Sequence, residues 1–231
     1  MHKEELLNLS KILIGQVRSK YPYKELIKQL SNLRAIDLKA LASDNEKLSF
    51  WINIYNAYSL ILKERFKPNL ENLIYRKRFF TRKEIRFSDI ELSLDDIEHK
   101  ILRQNRIWWS YGYLKNPIPK PLFKILMVHQ FEPRIHFALN CGASSCPPIR
   151  HYSEDKIFDQ LDVATKAFIL GNSSLNRQPS LETSSIFKWY KGDFSGKKGI
   201  ISLHKQTFKT TDLQISTIHY LPYNWTLGSY S

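Results

Sequence analysis

Apolar side chains in the first third of the chain recur at helical spacing. Residues 3–19 and 23–30 place them three or four positions apart, which predicts two amphipathic helices. Residues 44–63 are apolar almost all round, a pattern that indicates a buried central helix. The polar exceptions, Asn53 and Asn56, are three residues apart and therefore lie on one face. Because buried amides need hydrogen-bond partners, the pair either ties the helix to neighbouring backbone or lines a pocket.

The rest of the chain alternates short apolar segments with turns. Ser93 is placed to cap a helix over residues 93–103, because Asp95 and Asp96 follow in the first turn, where the helix dipole favours anions. Another helix is expected over residues 153–170. Short strands are predicted within the segments 73–80, 84–87, 135–140, 180–203 and 219–225.

These elements predict an α+β fold built around one main domain. The buried central helix is expected to pack on a small, mostly antiparallel sheet. Residues 46–231 would form the domain, and residues 1–45 would form a helical N-terminal extension. Thirteen Phe, twelve Tyr and five Trp supply enough bulky side chain for a substantial core.

The chain is strongly basic, with 35 Lys and Arg against 22 Asp and Glu, a formal charge of +13. Such a surplus suits nucleic acid, an anionic membrane or an acidic partner. The densest basic cluster, residues 76–83, is interleaved with aromatic residues and could bind nucleic acid, but a solvated hairpin is favoured. No segment has the pattern of an export signal or the length of a membrane span. We therefore expect a cytoplasmic protein with no membrane partner.

The segment from His136 to Cys146 is the strongest candidate for chemistry. It contains both cysteines and joins a short apolar run to a polar loop. Attack on a carbonyl by a thiolate needs a base and a group that orients the base, and His136 could be that base. Cys146 is slightly favoured over Cys141 as the nucleophile. Cys141 and His136 are at odd spacing and would face opposite sides of a strand, whereas Cys146 lies beyond the turn.

The helix over residues 93–103 supplies further catalytic candidates. His99 could act as the base in place of His136. Glu98 and Arg103 could form a structural ion pair on this helix while His99 faces the site. The groups that could orient the basic ring are Glu98, Asn53 and Asn56.

The same residues fit two other functions. Cys141 and Cys146 could bond to each other, which would suit a non-catalytic protein-interaction module with a structural or redox-active disulfide. They could also bind zinc together with His99, His136 or His151, but this spacing matches zinc sites poorly. We therefore expect no metal and no cofactor. The expected ligand is a small molecule or peptide of unknown identity, and a protein partner fits the second function.

Five phrases of the chain together resemble one protein family. They are FWINIYNAYSL (50–60), SLDDIEHKILR (93–103), RIHFALNCGASSCPPIR (134–150), IFKWYKGDF (186–194) and YLPYNWTL (220–227). Their order, from about residue 46 to residue 228, is similar to that in an uncharacterised family, domain of unknown function 547. The resemblance implies no particular reaction. Its recurrent polar positions correspond here to Asn53, Asn56, Glu98, His99, Arg103, His136, Cys141 and Cys146.

A buried helix followed later by a histidine-bearing strand is also similar to the architecture of papain and the transglutaminases. That architecture places its cysteine at the start of the central helix, where this chain has Asn53. The similarity therefore implies that the nucleophile would come from the loop 141–146 instead.

Overall fold

The computed structural model describes residues 2–175, 180–210 and 214–228, which form an α+β fold with many helices and small sheets. The α-helices are α1 (Lys3–Arg18), α2 (Lys24–Ser31), α3 (Asp44–Phe66), α4 (Leu73–Thr81), α5 (Pro121–Leu126), α6 (Ile157–Asn172), α7 (Ile186–Trp189) and α8 (Gly196–Phe208). The strands are β1 (Ile85–Arg86), β2 (Glu91–Leu92), β3 (Ser173–Leu175), β4 (Ser180–Ser184) and β5 (Thr217–Leu221). A π-helix spans Asp96–Leu102, and 3-10 helices span Ala35–Ala40, Trp108–Ser110 and Pro133–Phe137.

The predicted buried helix is α3, and it begins with a reciprocal cap. The Glu46 N–H donates to the Ser43 hydroxyl at 3.3 Å, and the Ser43 N–H donates to the Glu46 carboxylate at 2.9 Å. This capping box fixes the first turn. No described helix, α3 included, is long and apolar enough to cross a membrane.

Helices, rather than the predicted sheet, surround most of α3. It packs most extensively on α1 and also contacts the π-helix and α6. On the α1 side, Leu6, Leu13 and Ile14 are completely or almost completely buried. A helix that is apolar on every side needs partners all round, and neighbouring helices supply them here.

The N-terminal helix α1 belongs to the same hydrophobic core as α3. The division between an extension over residues 1–45 and a domain over residues 46–231 stays a prediction. Residues 1 and 229–231, at the ends of these two regions, lie outside the described residues.

The strands form two small sheets. β1 and β2 pair as an antiparallel hairpin. In the other sheet β3 is antiparallel to β4, with Ser173 opposite Thr183, and β4 is parallel to β5, with Ser180 opposite Thr217. Two of these three pairings are antiparallel. The parallel pair is possible because α7 and α8 form the crossover between its strands.

The first predicted strand, over residues 73–80, is wrong because this segment is helical. It forms most of α4, whose first turn is capped by Asn72. The Asn72 side-chain oxygen accepts the backbone N–H groups of Ile74 at 2.9 Å and Tyr75 at 3.3 Å. A cap of this kind satisfies the exposed donors of a helix start and outweighs a short alternating pattern.

The strand predicted over residues 135–140 is also wrong. The chain there continues the 3-10 helix Pro133–Phe137, which starts with a proline and is capped by Glu132 through the Arg134 N–H at 3.0 Å. In the segment 180–203, only β4 is extended, and the residues after it form α7 and the first part of α8.

A buried histidine joins α8 to the larger sheet. His204 is fully buried, with Nδ1 2.8 Å from the Ile200 carbonyl oxygen. Its Nε2 lies 3.0 Å from the Thr183 hydroxyl and 3.1 Å from the Ser173 hydroxyl. Because a carbonyl can only accept, Nδ1 holds the proton and Nε2 accepts from a hydroxyl. Burial lowers the pKa of His204 to about 4.

This neutral ring makes stability depend on pH. The unfolded chain binds a proton on this residue below its ordinary pKa of 6.5, whereas the folded chain does so only near pH 4. The stability is therefore complete above pH 6.5 and falls by roughly 3 kcal/mol as the pH approaches 4. We expect His204→Asn to flatten the pH dependence of the unfolding free energy, measured with urea between pH 7 and pH 4.5. The exposed His219→Asn control should keep the wild-type slope, and equal slopes for all three proteins would contradict the account.

Candidate functional site

A cleft of about 440 Å³ brings together segments that are far apart in the sequence. Its walls come from α3, α4, the π-helix, α7, the 3-10 helices Trp108–Ser110 and Pro133–Phe137, the segment that follows the second of these, and the C-terminal segment 222–225. Most of the lining is apolar or aromatic, with a few polar groups, as is usual for small-molecule sites. The aromatic lining residues are Tyr55, Phe80, Trp108, Trp189, Tyr190, Tyr223 and Trp225.

Half of the site residues predicted from the sequence line this cleft. These are Glu98, His99, His136 and Cys141. The predicted residues outside the lining are Cys146, Asn53, Asn56 and Arg103. Predicted site residues from two separate segments, the π-helix and the segment that ends in the cysteine loop, therefore line the same cleft.

The two asparagines of α3 tie the helix to neighbouring backbone. Asn53 donates to the Tyr152 carbonyl at 2.8 Å and accepts the Tyr152 N–H at 2.8 Å. Asn56 makes the same pair of contacts one turn later, donating to the Ala138 carbonyl and accepting the Asn140 N–H, both at 2.9 Å. Each buried amide thus satisfies two backbone groups. Asn56 fixes the backbone between the histidine and the cysteine of the cleft.

A buried carboxylate, Asp193, connects three elements behind the cleft. One of its oxygens, Oδ2, accepts from Arg103 Nε at 2.7 Å and lies 2.8 Å from His136 Nε2. The other oxygen lies 3.4 Å from Arg106 Nε. Burial alone raises the pKa of Asp193, but the hydrogen bonds from His136 and Arg103 and the positive charge of Arg103 outweigh it and hold the pKa below its ordinary value.

His136 is held as a neutral ring. Burial lowers its pKa, against the opposite effect of Asp193. Since the carboxylate of Asp193 accepts, Nε2 of His136 holds the proton, and Nδ1 is left as the acceptor of the ring. The ring stacks on Tyr190 with 3.8 Å between ring centres. This arrangement is that of an oriented base, in which a carboxylate fixes the tautomer.

The π-helix orients a second imidazole. The Arg103 N–H bonds to the Glu98 carbonyl five residues earlier, at 2.8 Å, which is the bonding pattern of a π-helix and is frequent at functional sites. Arg103 Nη1 lies 2.7 Å from His99 Nδ1, and His99 Nε2 lies 3.4 Å from Asp95. Because a guanidinium can only donate, His99 accepts at Nδ1 and holds its proton on Nε2.

The Glu98 carboxylate faces two phenols, the buried Tyr55 and the partly buried Tyr190, rather than an arginine. The Tyr190 hydroxyl donates to it at 2.6 Å, and the Tyr55 hydroxyl lies at 3.5 Å. Burial raises the pKa of both tyrosines well above 10, so both remain donors. The ion pair suggested between Glu98 and Arg103 is not formed among the described residues, because Arg103 pairs with Asp193.

Cys141 and Cys146 form a disulfide, and the described residues contain no free cysteine. The Tyr223 hydroxyl lies 3.4 Å from Cys141 Sγ and 3.2 Å from Cys146 Sγ. The Cys141 N–H donates to Cys146 Sγ at 3.0 Å. Within the described part of the chain, no hydrogen bond joins an imidazole to either sulfur. The bond leaves a structural or a redox role open for the pair.

The C-terminal segment covers the disulfide loop. The Ser144 N–H donates to the Thr226 carbonyl at 2.8 Å, and the Gly228 N–H donates to the Gly142 carbonyl at 3.0 Å. Lys63 of α3 also donates to the Gly228 carbonyl. The loop is therefore held by backbone contacts at Gly142 and Ser144, between its two cysteines.

Sequence reasoning missed Asp193, Tyr190 and Tyr223 as site residues. All three lie in phrases that supported the family resemblance, and that was the one signal in the sequence that could have identified them. Among the described residues, no group of three or more His, Cys, Asp or Glu side chains could hold a metal ion.

The Arg103–Asp193 pair should contribute strongly to stability. Asp193→Asn removes the negative charge and leaves Arg103 charged and buried, so we expect a loss of roughly 3–5 kcal/mol in unfolding free energy, measured with urea. The matched control is Asp159→Asn, which removes a carboxylate from an exposed position of α6 and should change stability by less than about 0.5 kcal/mol. A loss below about 1 kcal/mol for Asp193→Asn would contradict this account.

Comparison with known proteins identifies a family. The sequence model of a family described as "Protein of unknown function, DUF547" matches residues 38–169, more than half of the 231 residues. No curated protein and no solved structure matches the chain.

Proposed function

We propose that this chain, which belongs to the DUF547 family of proteins of unknown function, is a thiol-dependent hydrolase or acyl transferase. The observation that supports this most directly is the meeting of Cys141, His136, His99 and Glu98 in one cleft. Acyl transfer through a thioester needs a thiol, a base and a group that orients the base, and reduction of the disulfide would bring these groups together in the cleft.

Cys141 is the proposed nucleophile, because it lines the cleft and Cys146 does not. This differs from the preference for Cys146 drawn from the sequence, which assumed a strand at residues 135–140. In the reaction, the Cys141 thiolate attacks the acyl carbonyl and forms a thioester, and the leaving alcohol or amine takes a proton from the base. Water or an acceptor nucleophile then breaks the thioester and restores the thiol.

His136 is the proposed base and Asp193 its orienting group. The neutral ring with a basic Nδ1 suits proton removal from a thiol, and the Asp193 hydrogen bond stabilises the imidazolium that results. His99 lines the same cleft, but its Nδ1 already accepts from Arg103, so its proposed role is to donate a hydrogen bond to the substrate through Nε2. Glu98, whose carboxylate lies beside the hydroxyls of Tyr55 and Tyr190, would bind or orient the substrate. Asn56 would position His136 and Cys141, because it holds the backbone on either side of Leu139, between these two residues.

The disulfide must be reduced before Cys141 can react. A dithiol reductant would supply the two electrons and two protons that convert the bond into two thiols. This requirement agrees with the proposed cytoplasmic location, where thiols are kept reduced. The similarity to papain and the transglutaminases also remains a proposal, in which the nucleophile comes from the loop rather than from the central helix.

A second candidate function is a protein-interaction module with a redox-active disulfide. It is favoured by the exposed aromatic surface at Trp108, Trp109 and Tyr111, which are each more than half exposed. Contiguous exposed apolar side chains often mark binding surfaces. In this alternative the bond between Cys141 and Cys146 would stabilise the loop and take no part in acyl transfer.

Alkylation of single-cysteine variants tests the enzyme proposal. Cys146→Ser leaves Cys141, and Cys141→Ser leaves Cys146 as the matched control. In dithiol-reduced protein at pH 7, we expect iodoacetamide to modify Cys141 at least about tenfold faster, since a neighbouring base raises the thiolate fraction. Reduced wild type should hydrolyse an activated thioester, and Cys141→Ser should lose about a hundredfold or more of that rate.

Two results would contradict the proposal and favour the interaction module. One is an equal alkylation rate for the two cysteines. The other is thioester hydrolysis that is unaffected by Cys141→Ser or by oxidation of the wild type to the disulfide.

A further inference from the structure

One wall of the cleft carries two cationic side chains, and the described carboxylates of Asp95 and Glu98, which also line the cleft, form no ion pair with them. Arg76 and Lys77 of α4 line the cleft, and neither lies within ion-pair distance of a carboxylate in the described part of the chain. Lys77 Nζ lies 5.8 Å from the ring centre of Trp108, another lining residue. The cationic side chains of the cleft therefore lie next to its aromatic lining.

Arg76 is partly buried as well as uncompensated. Its guanidinium lies 3.8 Å from the ring centre of Trp225, and Nη1 donates to the Leu70 carbonyl at 3.2 Å. Burial lowers its pKa, which means that the charged form loses solvation there. The planar group is held in place by the ring and the carbonyl, and its remaining N–H donors have no carboxylate partner among the described residues.

Two other arginines that are shielded from solvent pair with acids. Arg134 bonds to Glu132 at 2.6 Å through Nη2, and Arg103 bonds to Asp193 at 2.7 Å through Nε. Burying part of a guanidinium without a counter-charge is costly, so Arg76, which lines the cleft with no acidic partner among the described residues, needs an explanation. A ligand that supplies the missing negative charge in the cleft provides one.

We propose that the cleft takes a ligand with an apolar body and one oxyanion, a carboxylate or a phosphate, which binds Arg76 and Lys77. The aromatic lining from Phe80, Trp108 and Trp225 accommodates the apolar body. That this ligand is also the acyl substrate rests on the proposed function, with its reacting carbonyl directed to Cys141. The assignment of the ligand class itself rests on the charges and the lining.

The test is equilibrium dialysis of the full chain with decanoate, decanol and inorganic phosphate, each below the concentration at which it aggregates. Decanoate should bind at least about tenfold more tightly than decanol, which lacks the charge, and than phosphate, which lacks the apolar body. Arg76→Gln should weaken decanoate binding about tenfold, and Lys77→Gln should weaken it to a smaller extent. The matched control is Arg78→Gln, which removes the same charge from the same helix at a position that does not line the cleft.

Several results would overturn the proposal. They are no decanoate binding to the wild type, equal binding of decanol, or an equal loss in Arg76→Gln and Arg78→Gln. Lys77 is exposed, so Lys77→Gln tests the site even if Arg76→Gln unfolds. Failure of the enzyme proposal is distinguishable, because decanoate binding is measured on the oxidised wild type, which has no free thiol among its described residues, whereas thioester hydrolysis is measured on the reduced wild type.

Discussion

The buried ion pair between Arg103 and Asp193 is the interaction on which the candidate site depends. Both side chains are completely removed from solvent, and removal of one partner would leave the other as an isolated buried charge. The pair joins the π-helix to the turn before α8. Because Asp193 also binds His136, the same carboxylate sets the tautomer of a cleft histidine. Stability and the orientation of a potential base are therefore coupled through one residue.

A second constraint comes from the central helix. Asn56 of α3 binds the backbone on either side of Leu139, which leads from His136 into the disulfide loop. The C-terminal segment then holds the loop from its other side. The helix α3 therefore fixes the backbone that carries both the histidine and the cysteine, although neither residue belongs to α3. Rigid elements that position reactive groups on shorter segments are common in active sites.

The sequence predicted the parts of this fold that depend on local periodicity. The apolar spacing of α1 and the uniformly apolar α3 identified both helices, and Asn53 and Asn56 were recognised as polar exceptions on one face. The segments 73–80 and 135–140 were predicted wrongly, because their short apolar patterns fit a strand as well as a helix. The caps from Asn72 and Glu132 decided between the two. Side-chain capping contacts of this kind are weak signals in a single sequence.

The sequence predicted which residues belong to the site but not the contacts among them. Cys141, His136, His99 and Glu98 were chosen for their chemistry and lie in one cleft. The partner of His136 was missed, because Asp193 is 57 residues away in the chain and no periodicity connects the two. The disulfide was one of the alternatives that the sequence left open. Contacts between residues that are distant in the sequence depend on tertiary packing, and the pattern of apolar and polar residues along the chain does not specify that packing.

The most direct test of this account is the protonation state of His136, observed through the ¹⁵N chemical shifts of its ring by NMR at pH 7. The account predicts a neutral ring with the proton on Nε2, held by Asp193, and an unprotonated Nδ1. A doubly protonated ring would contradict it, because no ring nitrogen could then accept a proton. A neutral ring with its proton on Nδ1 would contradict it as well, because the remaining acceptor, Nε2, lies against Asp193.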